Sequence, residues 1–292
     1  MTAPFHEGEV VAQQRAGTRA SAQRMAGMLR EAMTQQLQDF FAQLPFVVLG
    51  ACDADGQPWA TLRHGAPGFM RARDAHTLAI AASAVPHEPP APADLAPGAR
   101  VGLLGIELST RRRNRANGRV LAATEGHTVV GVEQSFGNCP KYIQARVLAP
   151  GAASAPSGAI DMDGGLDASA QELVRGADTF FIASAAPHGV DASHRGGAPG
   201  FVRVEDGGRT LVVPDRVGNG LFNTLGNLVV EPRAGLLFID FAGGGLLYVA
   251  VRGILDWEDP AQRLRCTVLR ARRTTLGWPF LSGPAQLSPF LR

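Results

Sequence analysis

The stretch "WATLRHGAPGF" (Trp59–Phe69) is written again 132 positions later as "DASHRGGAPGF" (Asp191–Phe201), with seven of eleven positions identical. At an offset of 133, "RVGLLGIE" (Arg100–Glu107) recurs as "RAGLLFID" (Arg233–Asp240), five of eight identical. "TLAI" (Thr77–Ile80) recurs as "TLVV" (Thr210–Val213), and Arg119 falls opposite Arg252. A spacing held this far along the chain predicts two homologous units in tandem. Two copies are too few for a solenoid, so each unit is expected to be a compact domain. Whatever fold one unit adopts must therefore also suit the other.

Each unit reads as β-rich. Glycine (35) and proline (20) are frequent enough to punctuate many short strands. In the first unit, "FVVLGACDADGQPWATLRH" is strand, turn and strand, with Asp55-Gly56 at the turn. Further strands are expected at "TLAIAAS", "RVGLLGIE", "RVLAATEG" and "HTVVGVEQ". The second unit repeats the order with "TFFIASA", "GFVRVE", "TLVVPD", "AGLLFIDF" and "LLYVAVRGILDW". "LRCTVLRARRT" (Leu264–Thr274) is expected to be its closing strand, with a helix as the alternative. One helix is expected over Ser21–Leu44, capped by Ser21 and ended by Pro45, and a short one within Asn219–Pro232. The expected plan is an N-terminal extension (1–44), a first domain (45–149), a linker (150–169) poor in large apolar residues, and a second domain (170–292).

Composition removes several function classes. Net charge is +2, which provides no bulk pull on nucleic acid or membrane. Cys52, Cys139 and Cys266 are too scattered for a metal or disulfide framework, which fits a reducing cytoplasm. No apolar run approaches the roughly 20 residues that span a bilayer. His127, His188 and His194 do not fall at metal-ligand spacings. No serine-nucleophile elbow, phosphate-loop signature or dinucleotide fingerprint occurs.

The units differ most after "TLVV". The second continues "PDRVGNGLFNTLGNL" (Pro214–Leu228), dense in glycine and asparagine, where the first has the proline-rich "AASAVPHEPPAPADL" (Ala81–Leu95). Backbone N–H groups freed at Gly218, Gly220 and Gly226, with Asn219, Asn223, Thr224 and Asn227, can cradle an anion at a helix start. Ser193, His194 and Arg195 add a hydroxyl, an imidazole and a guanidinium suited to a phosphate. The same residues also make an ordinary polar turn, and Arg63 stands where Arg195 does in the other copy. "STRRRNRANGR" (Ser109–Arg119) holds five arginines without the aromatics of a nucleic-acid surface. It reads as a basic hairpin edge, with binding of an anionic ligand as the alternative.

"DASHRGGAPGFVRV" and "LVVPDRVGNGLFNTLGNLVVEPRAGLLFIDF" resemble the FMN-binding split-barrel family related to pyridoxamine 5'-phosphate oxidase, in a branch with two fused barrels. The first unit carries a fainter version. The resemblance implies a mainly β (α+β) fold of two tandem split barrels with a helical N-terminal extension. It implies FMN in a groove between them, a groove that single-barrel members form by homodimerising. On this reading the second unit grips the phosphate and the first supplies a facing wall. The implied cofactor-binding set is Ser193, His194, Arg195, Pro214, Asp215, Gly218, Asn219, Asn223, Thr224 and Asn227. From the first unit, the turn within Glu133–Arg146 adds Ser135, Asn138 and Lys141, with a short helix starting near Pro140. The implied activity is FMN-dependent oxidoreduction of a small molecule, with no proton donor identified. A flavin or electron carrier serving a separate reductase, and a haem-handling split barrel, are the alternatives. The expected assembly is a monomeric pseudo-dimer or a homodimer.

Overall fold

The computed structural model describes residues 4–291, apart from 83–84, 86, 90–94, 138, 151–157, 217, 219 and 276–277. The first barrel comprises β1 (Phe46–Cys52), β2 (Pro58–His64), β3 (Met70–Asp74), β4 (Thr77–Ile80), β5 (Arg100–Glu107), β6 (Arg112–Thr124) and β7 (His127–Gly137). Two short strands follow, β8 (Ala149–Pro150) and β9 (Ala159–Asp163). The second barrel comprises β10 (Thr179–Ala186), β11 (Gly189–Gly196), β12 (Arg203–Glu205), β13 (Thr210–Val213), β14 (Arg233–Ile239), β15 (Leu246–Leu255) and β16 (Leu264–Thr274). A last strand, β17 (Phe280–Leu281), pairs with β8. The strand orders are β2-β1-β5-β6-β7-β4-β3 and β11-β10-β14-β15-β16-β13-β12. They are the same path written twice. The registers agree as well, since Arg100 faces Arg119 as Arg233 faces Arg252.

The unbroken apolar run of β1 is buried on both faces. Val47, Leu49 and Ala51 enter the first barrel's own core, whereas Phe46 and Val48 enter a second cluster shared between the barrels. In β10, Phe180 and Ile182 fill the second barrel while Phe181 and Ala183 join the shared cluster. The period-two alternation of a strand is thus divided between two apolar cores. The repeated "R-x-G-L-L" motif supplies the close approach. A Cβ on Gly102 would stand 2.7 Å from the Val190 carbonyl oxygen, and one on Gly235 would stand 2.3 Å from that of Pro58. The two glycines are equivalents, so the barrels meet by a two-fold-like contact in which β5 lies on β11 and β14 on β2.

The helices are α1 (Glu7–Arg15), α2 (Arg19–Met25), α3 (Gln35–Gln43), α4 (Ala168–Gly176) and α5 (Asn223–Val230). The helix expected over Ser21–Leu44 is broken. After α2 a 3-10 turn, Ala26–Met28, leads into extended chain at Leu29, and Arg30 pairs with Ser135 of β7 through both backbone groups, at 3.0 and 2.7 Å. The Thr34 side chain then caps α3 by accepting from Leu37 N. Pairing with a distant strand overrides a helical pattern that was locally sound. α1 was not foreseen; it packs on α5 where Gly8 meets Gly226 closely enough to exclude any Cβ. Residues 159–163 of the expected linker form β9, which extends the second sheet against β16. β6 was expected at an edge but lies at the centre of its sheet. No helix follows Pro140; the chain there makes a turn.

Candidate functional site

A crevice of about 730 Å³ opens where β6 and the turn after β7 of the first barrel face β11 and the loop before α5 of the second. Its floor is cationic. Arg113 and Arg115 stand two residues apart on β6 and so share one face of the sheet. Arg195 comes from β11. Among the described residues, neither Arg113 nor Arg195 has a carboxylate within 4.0 Å. Arg115 is anchored from below. It donates to Asn223 Oδ1 at 2.8 Å and to Ser193 Oγ, and lies 3.4 Å from Asp191 Oδ1.

Burial and mutual repulsion act on this cluster together. Burial, then Arg115 and Arg195, push the Arg113 guanidinium down to about 9. Burial also lowers Arg115, where Asp191 opposes it, and Arg195, where Asp215 opposes it. A guanidinium keeps its proton at neutral pH, so these shifts amount to a demand for an anion. Arg113 Nε, Arg115 Nε and Arg195 Nη2 are buried donors without an acceptor among the described residues.

His194 completes the floor. Arg113 Nη1 lies 3.2 Å from its Nδ1. A guanidinium only donates, so Nδ1 accepts and the ring proton is on Nε2. Burial and then Arg113, Arg195 and Arg115 hold His194 well below its ordinary value, which keeps the ring neutral. Nε2–H is a fourth buried donor without an acceptor. An arrangement of this kind can bind a phosphate or carboxylate, because each unmet donor costs free energy until an anion arrives.

The walls are mixed. Met25, Met28, Leu37, Phe136 and Phe201 give apolar surface, and Tyr142 lies under Arg216 with the guanidinium 5.7 Å from its ring. Cys139, Pro214, Asp215, Gly218 and Asn223 also line the crevice. Asp215 is tied to Arg263 at 3.8 Å.

Of the residues foreseen for the site, His194, Arg195, Pro214, Asp215, Gly218, Asn223 and Ser135 come together around the crevice. The Ser135 hydroxyl is nonetheless directed to the Ala32 carbonyl at 2.7 Å. Ser193 and Thr224 lie beneath the floor, bonded to each other at 2.9 Å, and Ser193 also donates to Asp191. Through Ser193 they brace Arg115. Asn227 is outside the crevice lining, held between His6 Nε2 at 3.0 Å and Ser184 Oγ at 3.0 Å. Lys141 is also outside it, with its ammonium over the Phe290 ring. Asn138 and Asn219 lie outside the described residues. Arg113 and Arg115 were missing from the expected set; for the stretch Ser109–Arg119 that holds them, anion binding was only the alternative reading.

The N-terminal arm reaches the same network. Glu9 of α1 is buried and accepts from Asn223 Nδ2 at 2.6 Å, the amide whose oxygen holds Arg115. Burial pushes its carboxyl up to about 7; hydrogen bonds from His6 and Asn223 oppose this, and Asp191 adds to it.

The family model of pyridoxamine 5'-phosphate oxidase matches residues 33–155, which is α3 and the whole first barrel. No curated protein sequence matches the chain. Crystal structures of HupZ from group A Streptococcus are similar at 15% identity and a TM-score of 0.28, covering 36% of this chain and 93% of that one. A singly substituted form of HupZ is similar at 14% and 0.29, covering 36% and 98%. Likeness at that level carries no argument about this chain. The family match coincides with one complete barrel, and the second half repeats that barrel strand for strand. Over residues 33–155 the chain is thus similar to the pyridoxamine 5'-phosphate oxidase family, and the split-barrel fold of that stretch is written twice along the chain.

Proposed function

We propose that the chain is an FMN-dependent oxidoreductase acting on a small molecule, with the FMN phosphate seated on Arg113, Arg115, Arg195 and His194. One observation carries this reading: a crevice of about 730 Å³ between two barrels whose floor gathers three arginines and a neutral histidine, each with a buried donor that has no acceptor among the described residues. The volume lies within the range of small-molecule and cofactor sites, about 300–1,000 Å³. The donor set suits a phosphate, and Met25, Met28, Phe136 and Phe201 offer apolar surface for a flat ring. When bound, FMN supplies hydride and electron transfer. The chain's own residues do the rest. The arginines fix the anionic tail, Asn223 and Asp191 fix Arg115, and the arm carrying Met25 and Met28 covers apolar surface that water would otherwise wet.

Titrating the purified apoprotein with FMN and with riboflavin tests the reading. The expected result is one FMN per chain, bound at least tenfold more tightly than riboflavin, which lacks the phosphate. Reduction of the bound flavin by NADH or NADPH alone supports an enzyme, and reduction only with an added reductase supports a carrier. Stoichiometric haemin binding with no flavin binding overturns the proposal.

A further inference from the structure

The tandem repeat defines a second place, related to the arginine-lined seat by the pseudo-two-fold. Thr61 and Arg63 of β2 are the counterparts of Ser193 and Arg195 of β11, 132 positions apart. Their strand partners agree: Thr61 faces Leu49 and Arg63 faces Val47, as Ser193 faces Ile182 and Arg195 faces Phe180. The opposing barrel differs. Arg113 and Arg115 face Ile106 and Leu104 across β5. The equivalent positions of β15, facing Ile239 and Leu237 across β14, are Leu246 and Tyr248. Both are fully buried in the shared cluster with Trp278 and Phe241.

In this second place an anion is already present. Arg63 grips Glu88 in bidentate fashion, Nη1 to Oε2 at 2.9 Å and Nη2 to Oε1 at 3.0 Å. Thr61 Oγ1 donates to Oε2 of the same carboxylate. The side chains of Arg63 and Glu88 are 4% and 1% exposed. This is the hydroxyl-plus-guanidinium pattern of a built anion receptor. We infer that Thr61 and Arg63 form a second anion-binding seat, whose resident ligand is the carboxylate of Glu88 and which accepts a small carboxylate from solution when Glu88 is removed. The seat takes only a compact anion, because the buried Leu246 and Tyr248 stand here at the positions that Arg113 and Arg115 hold beside the open crevice. The inference does not depend on what occupies the open crevice.

Chemical rescue tests it. Glu88→Ala removes the carboxylate that Arg63 and Thr61 hold, and its melting temperature is expected to fall by roughly 5–10 °C. Acetate is expected to restore at least half of that loss with a saturable, millimolar dependence, while sodium chloride at equal ionic strength does not. The wild-type chain is expected to show no such acetate response. Adding Thr61→Val is expected to raise the acetate concentration needed severalfold. If Glu88→Ala is insoluble alone, refolding into acetate but not chloride is the same result. Equal melting or equal refolding in the two salts overturns the inference. Melting and refolding are read without flavin, so failure of the FMN proposal and failure of this one remain distinguishable.

Discussion

Arg113 and Arg195 each place a guanidinium at the crevice with no carboxylate within 4.0 Å among the described residues, whereas Arg115 is braced by Asn223, Ser193 and Asp191. A charge-assisted hydrogen bond contributes about 1.5–3 kcal/mol. Arg113→Met and Arg195→Met are therefore each expected to weaken FMN binding by about 10- to 100-fold and to leave riboflavin binding within about threefold, as read by fluorescence titration. His194 and Arg195 could be named from "SHR" in the sequence, although the repeat does not single out Arg195, since Arg63 stands at the same place in the first unit. Arg113 and Arg115 were not legible, because a run of like charges conceals which of its members point inward. Only the pleat of β6, placed at the centre of its sheet, separates Arg113 and Arg115 from Arg112, which lies over the Phe40 ring. Ser193, Thr224 and Asn227 had the right chemistry at the wrong depth, and depth depends on which element covers them.

That covering element is α1. Its buried residues are Gly8, Glu9, Ala12 and Gln13, so it shows no apolar periodicity from which a helix could be read. It is fixed by polar bonds instead, with Gln13 donating to the Leu221 carbonyl at 3.0 Å and His6 donating to Asn227. Glu9 makes the arm sensitive to pH. Its folded-state value, about 7, lies above the unfolded one. Between pH 4.5 and 7 the folded chain holds a proton that the unfolded chain has released, so this contribution is complete below the unfolded value and is lost as pH rises through 7. His6, lowered by burial, runs in the opposite sense. A difference between two variants isolates the Glu9 term. Relative to Glu9→Gln, the wild-type chain is expected to lose roughly 2–3 kcal/mol between pH 5 and pH 8 in denaturant unfolding. Parallel stability curves would contradict this account.

For the molecule as a whole, the fold was legible to the extent that the repeat was exact. The β-rich character of both halves followed from it, because a pattern read twice corrects itself, whereas the short helix before β14 was read from Asn219–Pro232 alone, where the copies differ, and the strand order came only with the structure. The break between α2 and α3 and the strand β9 were not legible, since each depends on pairing with a strand far away in the chain. The glycines of "R-x-G-L-L" mark the contact between the barrels, and they are its most exacting positions. Gly235→Ala places a Cβ against the Pro58 carbonyl and is expected to cost about 3 kcal/mol. Gly27→Ala, with nothing within 4 Å, is expected to change stability by less than about 0.5 kcal/mol, and differential scanning calorimetry compares the two directly.

Glu88 and Trp278 illustrate what covalent fusion permits. Where two identical chains pair, every mutation is installed at both ends of the two-fold axis, so neither cleft can be sealed without sealing its twin. Joining the copies in one polypeptide removes that obligation. One half-site is then free to turn into packing while its sibling stays hollow, and only one of the two related clefts opens to solvent.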